Sequence, residues 1–92
     1  MTYRLVRTSH FGRRLSRFVR VHPGLRRRVA QVLRDLEADP FQPHLRLHAL
    51  TGELEGVHAV RVTHQTRITL VLAVVEEEIV LLDIGSHDEV YR

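Results

Sequence analysis

The hydrophobic period of this chain changes once, and that change decides what it can fold into. Phe11, Leu15, Phe18 and Val19 recur at i, i+4, i+7 and i+8, and Leu25, Val29, Val32, Leu33 and Leu36 repeat the stripe. A stripe of this spacing lines one side of a helix. The two stripes therefore predict an antiparallel helical pair, broken at "HPG" (22–24) and ended at "ADP" (38–40), where Pro40 disfavours helical backbone at Asp39. Ser9 is the expected cap of the first helix. Beyond the connection "FQPHLRLHALTGELEG" (41–56) the period becomes 2. "VHAVRVT" (57–63), "RITLVLAVV" (67–75) and "IVLLDIG" (79–85) are β-branched and aliphatic, with Glu76, Glu77 and Glu78 as a hairpin loop between the last two. With "YRLVRT" (3–8) as an opening strand, the order is β-α-α-β-β-β. That order predicts an α+β fold, an antiparallel sheet with the helical pair packed on one face. At 92 residues the chain is expected to form a single domain spanning 1–92.

Strand parity then assigns faces. If Val60, Val62, Ile68, Leu70, Leu72 and Val74 point at the helices, Arg61 and Arg67 point away from them. The two arginines share the open face only if an odd number of residues, such as His64, Gln65 and Thr66, forms the loop between their strands.

All fourteen basic residues are arginine, and they are unevenly placed. Residues 1–48 hold eleven arginines against three acids, whereas residues 49–92 hold three against eight. The first half is thus net +8 and the second net −5. Such polarity suits an anionic partner, and guanidinium grips phosphate in a bidentate fork that lysine cannot reproduce. Arg26, Arg27 and Arg28 fall in the first turn of the second helix, where the macrodipole disfavours cations, so they join Arg46 as candidate RNA or phosphate contacts. With no cysteine, disulfides, thiolate zinc sites and thiol nucleophiles are excluded. His44 and His48 have a spacing that binds zinc on a helix, but "HLRLH" follows Pro43 in the connection and no third ligand is placed, so no metal or cofactor is expected. The first ten residues carry two arginines and no apolar run, and no segment is long enough to cross a bilayer. The expectation is a cytoplasmic protein without a membrane partner.

Three stretches in the second half add a resemblance. "HALTGELEG" (48–56), "VRVTHQTRITLVL" (60–72) and the closing "GSHDEVY" (85–91) resemble, in order and spacing, motifs of the RelE/ParE superfamily of toxins from toxin–antitoxin modules, most like its YafQ branch. This resemblance implies a RelE-like fold and an endoribonuclease that cuts mRNA on the translating ribosome, restrained by a cognate antitoxin. By position, His48 and His87 match the functional histidines of the YafQ branch, Tyr91 its terminal aromatic, and Arg61 and Arg67 the strand arginines of the wider RelE group. Arg61 and Gln65 stand where the YafQ branch carries a His and an Asp. That departure favours two alternatives, a ParE-like toxin acting on DNA gyrase without catalysis, or a silenced member kept as an interaction module.

The chemistry is coherent without the resemblance. Metal-free RNA cleavage needs a base for the 2′-hydroxyl proton, an acid for the departing 5′-oxygen, and positive charge on the phosphorane between them. Imidazoles suit the first two tasks and arginine the third. His87, at the end of the last strand, after Gly85, which permits a sharp turn, and beside the acids Asp88 and Glu89, is the expected general acid, and His48 the expected base. Arg61 and Arg67 would hold phosphate, and Tyr91 would stack on a base or orient the phosphate. The exposed end strands and basic helices are the expected surface for an acidic segment of the antitoxin.

Overall fold

The computed structural model describes residues 2–91. The chain runs β1 (Arg4–Arg7), α1 (Ser9–Val21), α2 (Arg26–Ala38), β2 (His48–Ala49), β3 (His58–Arg61), β4 (Thr66–Ala73), β5 (Glu78–Ser86) and a closing turn of helix, α3 (His87–Val90). Short 3-10 turns at Pro23–Leu25, Pro43–Leu45 and Gly52–Leu54 join the elements. The five strands form one sheet in the order β1-β5-β4-β3-β2.

The expected α+β architecture is present, with several corrections. The sheet is mixed, because β1 pairs in parallel with β5, Leu5 opposite Ile79 and Val6 opposite Val80. The helical layer supplies the crossover that a parallel pair requires. Thr8, not Ser9, caps α1, its Oγ1 accepting from the Phe11 amide at 3.0 Å. The hairpin between β4 and β5 turns through residues 74–77, so Glu78 belongs to β5 and Val74 is 52% exposed rather than turned toward the helices. The expected connection also contains β2, whose His48 and Ala49 lie opposite Ala59 and His58 of β3.

The core confirms both periods. Phe11 and Phe18 from α1, and Val29, Val32 and Leu36 from α2, close on Val60, Val62, Ile68, Leu70, Ile79, Leu81 and Ile84 from the sheet side. Leu45, from the 3-10 turn after Pro43, is fully buried among them. Along β5 the inward residues step from Ile79 and Leu81 to Ile84, which a strict period of 2 forbids. A bulge resolves the mismatch: Thr69 faces Asp83 and Leu70 faces Leu81, leaving Leu82 as the extra residue. Below the bulge, β5 runs directly into α3. Among the described residues, no helix is long and apolar enough to cross a membrane.

Candidate active site

Arg61 and Arg67 are direct cross-strand partners, next to the fully buried pair Val60 and Ile68. Opposed residues share a face and successive residues alternate, so the arginines lie on the face away from the helices. The loop between the strands covers residues 62–65 rather than the expected 64–66, and it is the direct pairing of Arg61 with Arg67 that puts both on one face. His48 lies opposite Ala59, two residues from Arg61 along β3, and therefore joins the same face.

His48 is held by an unusual piece of backbone. Arg46 adopts the left-handed conformation, φ 51° and ψ 46°, at the end of the 3-10 turn. This bend presents the Arg46 carbonyl to His48 Nδ1 at 2.8 Å. A carbonyl only accepts, so Nδ1 carries the proton and, in the neutral ring, Nε2 keeps a free lone pair. Nε2 is aimed at the Tyr91 hydroxyl, 3.5 Å away.

His87 opens α3 and Tyr91 caps its end, a turn of helix where the sequence predicts the end of a strand. Ser86 caps this turn in a reciprocal box: its Oγ accepts from the Glu89 amide, and Glu89 Oε1 accepts from the Ser86 amide at 2.9 Å. These contacts hold the Glu89 carboxyl below its ordinary range, first through the Ser86 backbone and then through the Ser86 side chain. The Glu89 carboxylate is thereby held at Ser86 and Arg14, and Asp88 stands 3.7 Å from His87 Nδ1. The positions of His87 and Tyr91 four apart on one helical turn bring their rings edge to face, 4.2 Å between centroids and 83° between planes. Tyr91 thus touches both imidazoles. Burial pushes its phenol above the ordinary value, with the Arg67 guanidinium beside it acting in the opposite direction. Its hydroxyl accordingly remains protonated at neutral pH and can donate toward His48 Nε2.

The arginines divide into two sets. Arg67 is anchored through Nη1 to the carbonyls of Thr63, His64 and Thr66, at 2.7, 3.1 and 3.1 Å, which fixes its charge next to Tyr91. Arg61 donates to His64 Nδ1 at 3.3 Å and also lines a groove of about 390 Å³ with Arg28, Arg46, Asp35 and His44. Arg28 has a structural task there, donating from Nε to the Val62 carbonyl at 2.9 Å and tying α2 to the end of β3. Arg26 and Arg27 are exposed at the start of α2, apart from the histidine–tyrosine cluster. His44 is paired with Asp35 at 2.8 Å, and no group of three metal-ligating side chains occurs among the described residues. Sequence reading missed the Arg46 carbonyl, which no residue type signals, and the capping box, which "SHDE" does signal as Ser-x-x-Glu.

By sequence, no family model and no curated protein matches the chain. By structure, it is similar to a YoeB/ParE toxin from Agrobacterium tumefaciens, with TM-score 0.76, 17% identity, and 91% of this chain and 98% of that one covered. YafQ from E. coli superposes with TM-score 0.73 at 11% identity, covering 98% of this chain and 99% of that one. The fold is that of these toxins. A third neighbour, from the toxin–antitoxin complex RelBE2 of Mycobacterium tuberculosis, aligns with TM-score 0.64 and 19% identity over 95% of this chain and all of that one. The RelE-like architecture that the resemblance implied is therefore present across the chain. In this chain Arg67 meets Tyr91 at the C-terminal turn, on the face away from the helices.

Proposed function

We propose that this chain is the toxin of a toxin–antitoxin pair and an endoribonuclease that cuts mRNA on the ribosome. The observation that carries this reading is the cluster in which Tyr91 touches His48 on one side and His87 on the other, with the fixed charge of Arg67 alongside. His48 Nε2 takes the proton of the 2′-hydroxyl, whose oxygen attacks the adjacent phosphorus. His87 gives a proton to the 5′-oxygen as the P–O bond breaks, leaving a 2′,3′-cyclic phosphate and a 5′-hydroxyl. Arg67, with Arg61 across the strand pair, stabilises the charge that accumulates on the phosphorane. General acid–base groups of this kind contribute roughly 10²–10⁴-fold each. Beside α2, a groove lined by Arg61, Arg46 and Arg28, with Asp35 among them, offers further positive charge to the RNA backbone, and Arg26 and Arg27 add charge at the start of α2.

The partner that restrains it is an antitoxin with an acidic segment. Support comes from the net +8 of residues 1–48 and from the fold neighbour that belongs to a toxin–antitoxin complex. The function is tested by bacterial cell-free translation of a reporter followed by primer extension on the mRNA. New 5′ ends with the parent protein that vanish with His87→Ala are the expected result. Uncut mRNA with normal ribosome occupancy would refute the nuclease, and inhibition of DNA gyrase in its place would establish the ParE-like alternative.

A further inference from the structure

Arg14, Asp83 and Glu89, from three elements of the chain, meet behind the turn that carries His87 and Tyr91. Arg14, on α1, donates from Nε to Asp83 Oδ1 at 2.8 Å and from Nη2 to the Ile84 carbonyl at 3.3 Å. The same Nη2 lies 3.7 Å from Glu89 Oε2, and Glu89 is the residue that closes the capping box on Ser86. Asp83 is itself oriented, because Oδ1 also accepts from the Ile84 amide at 2.8 Å, and His10 Nε2 approaches its other oxygen at 3.6 Å. Arg14 and Asp83 are well shielded, their side chains 23% and 19% exposed. One guanidinium therefore joins α1, the end of β5 and α3.

Gly85 shows that this meeting point is tightly filled. A β-carbon at position 85 would stand 2.9 Å from Arg14 Nη2, 3.1 Å from Glu89 Oε1 and 3.3 Å from Glu89 Cβ. The sequence suggested that Gly85 allows a sharp turn before His87. Its φ is not among the positive values, so what glycine provides is space for the Arg14–Glu89 contact. The four-residue α3 has few hydrogen bonds of its own, and isolated helices this short are unstable. Its position depends on Val90, which is buried, and on the Ser86–Glu89–Arg14–Asp83 chain of contacts.

We propose that Arg14 is a positioning residue, holding α3 through Asp83 and Glu89 so that His87 and Tyr91 are presented to the open face of the sheet. Its catalytic consequence rests on the nuclease reading, but its structural content does not. In the full-length protein, ¹³C/¹H NMR of the imidazole and tyrosine rings reads the His87–Tyr91 contact through space, and amide exchange reads the Glu89 and Tyr91 N–H groups of the turn. Arg14→Gln is expected to keep the core resonances while weakening the ring contact and accelerating exchange at both amides. Arg14→Lys, which restores charge at Asp83 without the second arm, is expected to recover part of the ring contact. Gly85→Ala is expected to reproduce the effect of Arg14→Gln, and the two together are expected to be less than additive, because they disrupt one contact.

For mRNA cleavage, kcat is expected to fall on the order of 10²-fold, the scale set by ångström-level misplacement, with KM nearly unchanged. A preserved ring contact and native exchange in Arg14→Gln would overturn the proposal, as would a rise in KM with kcat unchanged. Absence of cleavage by the parent protein would overturn the nuclease reading, and the ring contact would still decide the role of Arg14. Should Arg14→Gln fail to fold, Glu89→Gln, which removes the charge facing Arg14 from the exposed side, is read in the same way.

Discussion

Arg46→Gly separates what the Arg46 backbone does from what its side chain does. Residue 46 is left-handed, with φ 51°, and exposed. An L-residue in that region costs roughly 1–2 kcal/mol, whereas glycine pays about 0.5–1 kcal/mol more conformational entropy on folding. The exposed side chain adds little packing, so the substitution should stabilise the protein by about 0.5–1 kcal/mol. For a domain of this length that raises Tm by roughly 2–8 °C. Because the carbonyl that accepts from His48 Nδ1 survives, the ring keeps its orientation and kcat should be preserved. RNA binding should nevertheless weaken, and the slope of log K against log salt should fall by about 0.7 if Arg46 neutralises one phosphate of a single strand. Thermal unfolding and a binding titration at several salt concentrations measure both effects. Glu77, left-handed at φ 53° in the hairpin remote from the groove, is the control: Glu77→Gly should raise Tm and leave the salt slope alone. A lower Tm for Arg46→Gly, or an unchanged salt slope, would refute the corresponding half of the reasoning.

Tyr91→Phe keeps the ring against His87 and removes the hydroxyl aimed at His48, so single-turnover cleavage should fall by less than with Tyr91→Ala; equal losses would show that ring packing carries nothing. Glu89 has a folded pKa below its ordinary value of 4.5. It therefore contributes stability above that value, and the contribution is lost as pH falls through the folded pKa. Urea unfolding of the parent and Glu89→Gln should show a stability difference at pH 7 that shrinks below about pH 4.5, and a difference growing with acid would contradict the capping geometry. Ile68→Ala, at a fully buried site between sheet and helices, should cost about 2–5 kcal/mol in the same assay, and a cost below 1 kcal/mol would place Ile68 outside the core.

The parts of the fold legible in the sequence were those set by local period. Phe11 and Phe18, or Val60 and Ile68, announce their burial through spacing alone, whereas a shared face for Arg61 and Arg67 was legible only as a condition on the loop, and their direct pairing decides it. The parallel pairing of β1 with β5 was not legible, because it joins residues more than seventy positions apart and no local pattern specifies a strand's neighbour. The two-residue β2 is too short to show a period. At Thr8 and Ser9, two good capping residues stand side by side, and propensity cannot choose between them. His48, His87 and Tyr91 were selected by residue type and resemblance. That Tyr91 touches both rings follows from the capping box after Ser86 and the left-handed turn at Arg46, of which only the first leaves a trace in the sequence.

Cleavage by the histidine pair depends on attack by the 2′-hydroxyl. That dependence is tested most directly with programmed bacterial ribosomes carrying either an all-ribose mRNA or the same mRNA with a single 2′-deoxynucleotide on the 5′ side of the cut. The ribose message should be cut to a 2′,3′-cyclic phosphate and a 5′-hydroxyl, the deoxy message should survive, and His87→Gln and His48→Gln should slow the cut. Equal cleavage of both messages, or full activity in both variants, would contradict this chemistry.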